Sequence, residues 1–219
     1  MASCVSAKPL KTGHEKSLLQ HRNSEAIVLE YLRPMLKASN KTARIYYQGA
    51  CYGKEVDLIP FPKIEVQRPS KGESGLSAIK VMFKGDKDVS VSQDGSKIIK
   101  IRFGNVNLAL LDTKIHHLSL TREEQYNATA SLLAIKSSTA VQYAMKKLNL
   151  QIPQSYINVL EVQPTAGLPH MPSALKNITI DKALDLVTTT FNGIVIYGAC
   201  TYPDGTKLFR IYFTGLEKS

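Results

Sequence analysis

The sequence has no apolar run approaching the roughly 18–20 residues that a membrane-spanning helix needs, which excludes a helical transmembrane protein. It also lacks the spacings of a zinc site: no Cys-X-X-Cys and no His-Glu-X-X-His occurs. His116 and His117 are adjacent, and on a strand they would point to opposite faces, so they cannot share one metal. His14, His21 and His170 fall in tether or linker contexts. No glycine-rich phosphate loop is present, and Gly72-Glu73-Ser74-Gly75 lacks the spacing of a nucleophile elbow. Blocks of about five or more like charges are missing too, so no basic or acidic tail is expected. Tryptophan is absent, which leaves ten tyrosines and six phenylalanines as the aromatic complement.

What is present suits a globular chain. Its 219 residues are 43% hydrophobic and allow one large domain or two small ones. The formal charge of +10 favours acidic partners such as nucleic acid, an anionic membrane face or an acidic protein. The lysines are scattered, however, and a diffuse basic surface is more often a solubility feature. Tyr46, Tyr47, Tyr197 and Tyr202 could form a stacking platform for single strands, but strand tyrosines more often cover sheet edges. A polyanion or nucleic-acid binder is kept as an alternative.

The chain divides by pattern. Residues 1–22 lack periodicity and read as a flexible tether. From Ser24 on, Ile27, Val28, Tyr31, Leu32, Met35 and Leu36 recur at helical spacing, with Pro34 predicting a kink or an early end. Strand-like segments follow near 43–48, 54–59, 63–67 and 76–84. The segments 89–92 and 98–103, joined through Asp94-Gly95, read as a hairpin. Further strands are expected at 106–111 and 115–119. Thr121-Arg122-Glu123-Glu124 is a capping box opening a helical region, and Ser138 can cap a second helix. Ser155 to Gln163 reads as a strand and Pro164 to Pro172 as a linker. Thr179 then caps a helix with Ile180, Leu184, Val187 and Phe191 on one stripe and Asp181 in its first turn; Asn192-Gly193 stops it. A strand to Cys200, a Pro203-Asp204-Gly205 turn and a last strand 208–213 complete an α+β chain. The expected units are a strand-rich domain over 23–120, a helical segment over 121–153 and a small α+β domain over 154–219.

Gly49-Ala50-Cys51-Tyr52 is echoed by Gly198-Ala199-Cys200-Thr201-Tyr202. Each copy follows a helix and an aromatic, β-branched strand (Arg44-Ile45-Tyr46-Tyr47 and Ile194-Val195-Ile196-Tyr197). A duplicated helix–strand–strand motif would place Cys51 and Cys200 equivalently. Residues 171–215, from Met171-Pro172-Ser173-Ala174-Leu175-Lys176-Asn177-Ile178-Thr179 through Ala183-Leu184-Asp185-Leu186-Val187, resemble the short N-terminal domain of secretins and TonB-dependent transporters. Residues 24–60 would be a divergent second copy. The resemblance implies a periplasmic interaction module without catalytic residues, acting with a protein partner in a secretion or transport assembly. Met1-Ala2-Ser3-Cys4 is similar to the end of a bacterial lipoprotein signal, which implies a lipid on Cys4 and outer-membrane anchoring. Cys51 and Cys200 are then left as a disulfide pair for an oxidising compartment.

A second resemblance points to chemistry. Gly53-Lys54-Glu55-Val56-Asp57-Leu58-Ile59 followed by Lys63-Ile64-Glu65-Val66-Gln67 is similar to the core of the PD-(D/E)xK nucleases. It implies a cytoplasmic, Mg²⁺-dependent nuclease with Asp57 and Glu65 holding the metal and Gln67 where the family has lysine. Pro60 and Pro62 interrupt the spacing. The residues also read as two solvent-facing carboxylates on a hairpin whose other side is Val56, Leu58, Ile64 and Val66. The favoured expectation is a non-enzymatic envelope module without cofactor, with the nuclease as the alternative.

Overall fold

A computed structural model describes residues 12–51, 59–67, 74–152 and 167–216, with side chains from Ser24 onward. Cys4, Asp57 and the segment 155–163 lie outside the described residues. Helix α1 (Thr12–Ala38) leads through a turn into strand β1 (Thr42–Ala50). Asn40 takes a φ of 51° in that turn, a left-handed conformation that asparagine tolerates. The helix starts at Thr12 where a tether over 1–22 was expected. Residues 14–22 contain no glycine or proline and are rich in strong helix formers, so propensity acts where apolar periodicity is missing. Pro34 does not end the helix either. It sits on the exposed side, and its missing donor costs one intrahelical bond in the last turns.

The second helix, α2 (Gly75–Met82), replaces the strand expected at 76–84. Its buried residues Gly75, Ala78, Ile79 and Met82 follow the 3, 1, 3 spacing of one helical face. The hairpin is as expected: β2 (Val89–Asp94) and β3 (Ile98–Phe103) pair antiparallel, with Gly95 at φ 60° in the turn. The segment 106–111 is no strand. Amides 111, 112 and 113 bond back to carbonyls 108 and 110, closing a compact turn before β4 (Lys114–Ser119). The capping box at Thr121 is formed and opens α3 (Arg122–Tyr126). Asn127 caps α4 (Ala128–Ser137), and α5 (Thr139–Leu148) follows. A two-residue β5 (Leu150–Gln151) precedes β6 (Ala174–Thr179), α6 (Ile180–Thr190), β7 (Gly193–Thr201) and β8 (Lys207–Gly215).

The main sheet has the order β2-β3-β1-β7-β8-β5, and β4 and β6 form a separate antiparallel pair. Strands β3, β1 and β7 run parallel at the centre, flanked by antiparallel β2 and β8. This α+β sheet crosses the boundaries expected at 120/121 and 153/154, because β1 pairs with β7 from the last expected unit as well as with β3 from its own, and β5 of the helical segment joins through β8. Buried on both faces, its central strands read as nearly continuous apolar runs. Ala43, Ile45 and Tyr47 face a core formed with α1 and α2, whereas Tyr46 joins the core under α4, α5 and α6. The two helix–strand units thus lie side by side with their helices on opposite faces. Ile27, expected in the apolar stripe of α1, is 43% exposed instead.

Candidate functional site at the carboxyl ends of the central strands

Strands β1 and β7 end together. Their ladder closes at Ala50 beside Thr201, and the Cys51 amide donates to the Thr201 carbonyl. At this end Cys51, just past β1, is joined to Cys200, the next-to-last residue of β7, by a disulfide with Cα atoms 5.0 Å apart, across 149 positions of sequence. Cys200 is buried and Cys51 is half-buried. A disulfide here is compatible with an extracytoplasmic location. Among the described residues no helix is long and apolar enough to cross a membrane.

Two charged networks lock the helices onto the two faces. On the α6 face, Arg44 is fully buried. Its Nη1 donates to Asp185 Oδ1 at 2.9 Å and to the Asp181 carbonyl at 2.9 Å, and its Nη2 meets Asp181 Oδ1 at 3.1 Å. The Tyr46 hydroxyl donates to the same Asp181 oxygen at 2.9 Å. Lys100 bridges Asp181 and Asp94, and Lys182 bridges Asp94 and Asp185. Three cations thus meet three carboxylates. Hydrogen bonds from Lys100 and Lys182 pull Asp94 down to about 2. Burial pushes Asp181 upward, but Arg44 and Lys100 outweigh it and leave its carboxyl below the usual range. Tyr46 is driven far above the ordinary phenol range, chiefly by burial.

On the α1 face, Arg210 lies between two aromatic rings, its guanidinium carbon 5.7 Å from the Tyr47 centroid and 4.7 Å from that of Tyr212. It donates to the Tyr47 hydroxyl and to Glu25, both at 2.7 Å. The Tyr212 hydroxyl donates to Glu25 as well. Glu25 thereby fastens α1 to β8, and Arg33 adds bonds to Thr214 and the Gly215 carbonyl.

Beside the disulfide a pocket of about 50 Å³ opens at the strand ends. Gln48, Asn107, Tyr197, Thr201 and Lys207 supply its polar lining. Leu110, Leu148 and Leu150 supply an apolar wall. In open α/β sheets the crevice outside the carboxyl ends of strands is the usual ligand position.

The nuclease residues are placed differently. Glu65 and Gln67 are both exposed, on an extended segment that forms no ladder, while Ile64 and Val66 pack on the core. The strand expected at 63–67 is absent because its Gln67 amide bonds to the end of α2, at the Met82 carbonyl, rather than to a neighbouring strand. No cluster of three or more metal-ligating side chains occurs among the described residues. Arg44, Lys100, Asp185 and Lys207 were not singled out from sequence, and Tyr197 was singled out only as part of a stacking platform. One signal was available for Arg44: a charge inside a strand that otherwise reads as fully buried must find partners. Comparison with protein-family models, curated proteins and solved structures gives no match for this chain.

Proposed function

We propose that this chain is a non-enzymatic interaction module of a bacterial cell envelope. It works in the periplasm, held at the membrane through its N-terminus with Cys4 as the lipid attachment point, within a secretion or transport assembly. The observation that carries this reading is the Cys51–Cys200 disulfide at the ends of the two central strands, a bond that persists in oxidising compartments. The β6-α6-β7-β8 order of residues 174–215 supports the assembly role through the likeness to secretin and TonB-type short domains.

The partner surface is the β2 edge of the sheet. Because the Gly104 amide bonds to the Asp88 carbonyl, the antiparallel alternation turns the bonding groups of Ser90, Ser92 and Asp94 inward. The amides of Val91 and Gln93 then face the open edge. Strand β2, Val-Ser-Val-Ser-Gln-Asp, carries no lysine or proline, two of the usual devices that keep an edge from pairing. An extended segment of a partner can add there as a further strand. The test is co-purification from the native host with the wild-type chain and with Gln93→Pro, which removes one outward donor. The expected result is an envelope protein retained by the wild type and lost by a variant of unchanged melting temperature. Retention of the same partner by Gln93→Pro would refute the edge as the docking surface.

A further inference from the structure

The pocket beside the disulfide has a chemical bias independent of strand pairing. The Lys207 side chain forms no ion pair or hydrogen bond among the described residues, and it is the one charged residue in the lining. Tyr197 is 1% exposed, yet its hydroxyl has no hydrogen-bond partner among the described residues. The only fully enclosed side-chain nitrogen or oxygen without a partner, among the described residues, is Arg44 Nε. The Tyr197 oxygen is therefore not fully enclosed, and Tyr197 is one of the residues that line the pocket. Burial pushes this phenol up to about 12, so at neutral pH it offers a proton to an acceptor.

Two more donors border the same space. Gln48 spends its Oε1 on the Asn107 amide at 2.8 Å, and its Nε2 group has no partner among the described residues. The Thr201 hydroxyl has no partner among the described residues. Asn107 turns its Oδ1 to the Ala109 amide, and no carboxylate lines the pocket. The polar lining thus offers donors with one positive charge, opposite a wall of leucines. A space of about 50 Å³ holds roughly three to five water-sized centres, enough for a small organic acid.

The geometry points to a binding site for a short-chain monocarboxylate, from acetate to butyrate, with its carboxylate on Lys207 and the Tyr197 hydroxyl and its alkyl end against Leu110, Leu148 and Leu150. One cation matches one negative charge. A doubly charged phosphate would be left half-neutralised against an apolar wall.

The experiment is a titration of the full, disulfide-bonded chain with sodium butyrate, n-butanol and sodium phosphate at matched ionic strength, read by backbone amide shifts. The expected result is saturable movement of the Gln48, Thr201 and Lys207 amides by butyrate with a Kd of about 1 mM, and at least about tenfold weaker binding of butanol and phosphate, a margin of about 1.4 kcal/mol. Lys207→Met and Tyr197→Phe should each weaken butyrate by about tenfold; the phenylalanine keeps the ring against Phe209, and the lysine is half-exposed, so both variants fold. Non-saturating shifts, butanol or phosphate binding as tightly as butyrate, or wild-type affinity in both variants would overturn the site.

Discussion

Tyr47 and Gly198 meet across the β1–β7 ladder so closely that a Cβ on Gly198 would lie 2.4 Å from Tyr47 Cζ. The tyrosine cannot retreat without cost, since its hydroxyl accepts from Arg210 and its ring packs on Phe61. Gly198→Ala should therefore destabilise by at least about 2 kcal/mol, at the upper part of the usual overpacking range, measured by urea unfolding. Adding Tyr47→Leu to that variant should restore part of the loss, because it removes the atoms in the way.

Arg44 is the buried centre of the α6 network. Arg44→Met leaves Asp185, whose side chain is 8% exposed, with only Lys182 and a more distant Lys100 nearby. Removing one partner of a buried pair typically costs about 3–5 kcal/mol. The double variant Arg44→Met, Asp185→Leu should recover most of it, since two apolar side chains leave no orphaned charge. Chemical denaturation of the wild type, the two single variants and the double variant gives the coupling directly.

The same network sets the response to acid. Asp94 at about 2 and the lowered Asp181 bind protons less readily folded than unfolded, where aspartate titrates near about 3.9. Their contribution to stability is complete above the unfolded value and is lost as pH falls through the folded value. Melting temperatures measured from pH 7 to pH 2 should stay level down to about pH 5 and drop steeply below about pH 4. Asp181→Asn should flatten that drop.

The disulfide closes a loop of 149 positions, for which the chain-entropy model gives about 5 kcal/mol. The ladder already holds Cys51 and Cys200 next to each other, so reduction should lower stability without changing the fold. Cys51→Ser should lower the melting temperature in oxidising buffer and match the wild type in reductant. An equal difference in both buffers would mean that the serine, not the lost bond, causes the change.

Local signals made part of this fold legible. The Asp94-Gly95 hairpin, the Thr121 capping box and the Ile180–Val187 stripe are each set by neighbours in sequence, and each is present. The Gly-Ala-Cys echo put two cysteines in equivalent places; the structure adds that their strands are parallel neighbours. What could not be read depends on long-range pairing. Nothing in sequence tells β1 to take β3 on one side and β7 on the other, so the single sheet looked like separate units. Residues 76–84 looked like a strand because Ile79, Val81 and Met82 are apolar, whereas burial follows Ala78, Ile79 and Met82 as a helical face. The pocket was invisible for the same reason: Gln48, Tyr197 and Lys207 come from three strands.

The most direct measurement is the intact mass of the chain from its native host, with thiols alkylated in living cells, before and after reduction. The expected result is a Cys51–Cys200 disulfide that resists labelling until reduced, together with acyl mass on Cys4. Three freely labelled thiols on an unmodified chain would contradict an envelope module.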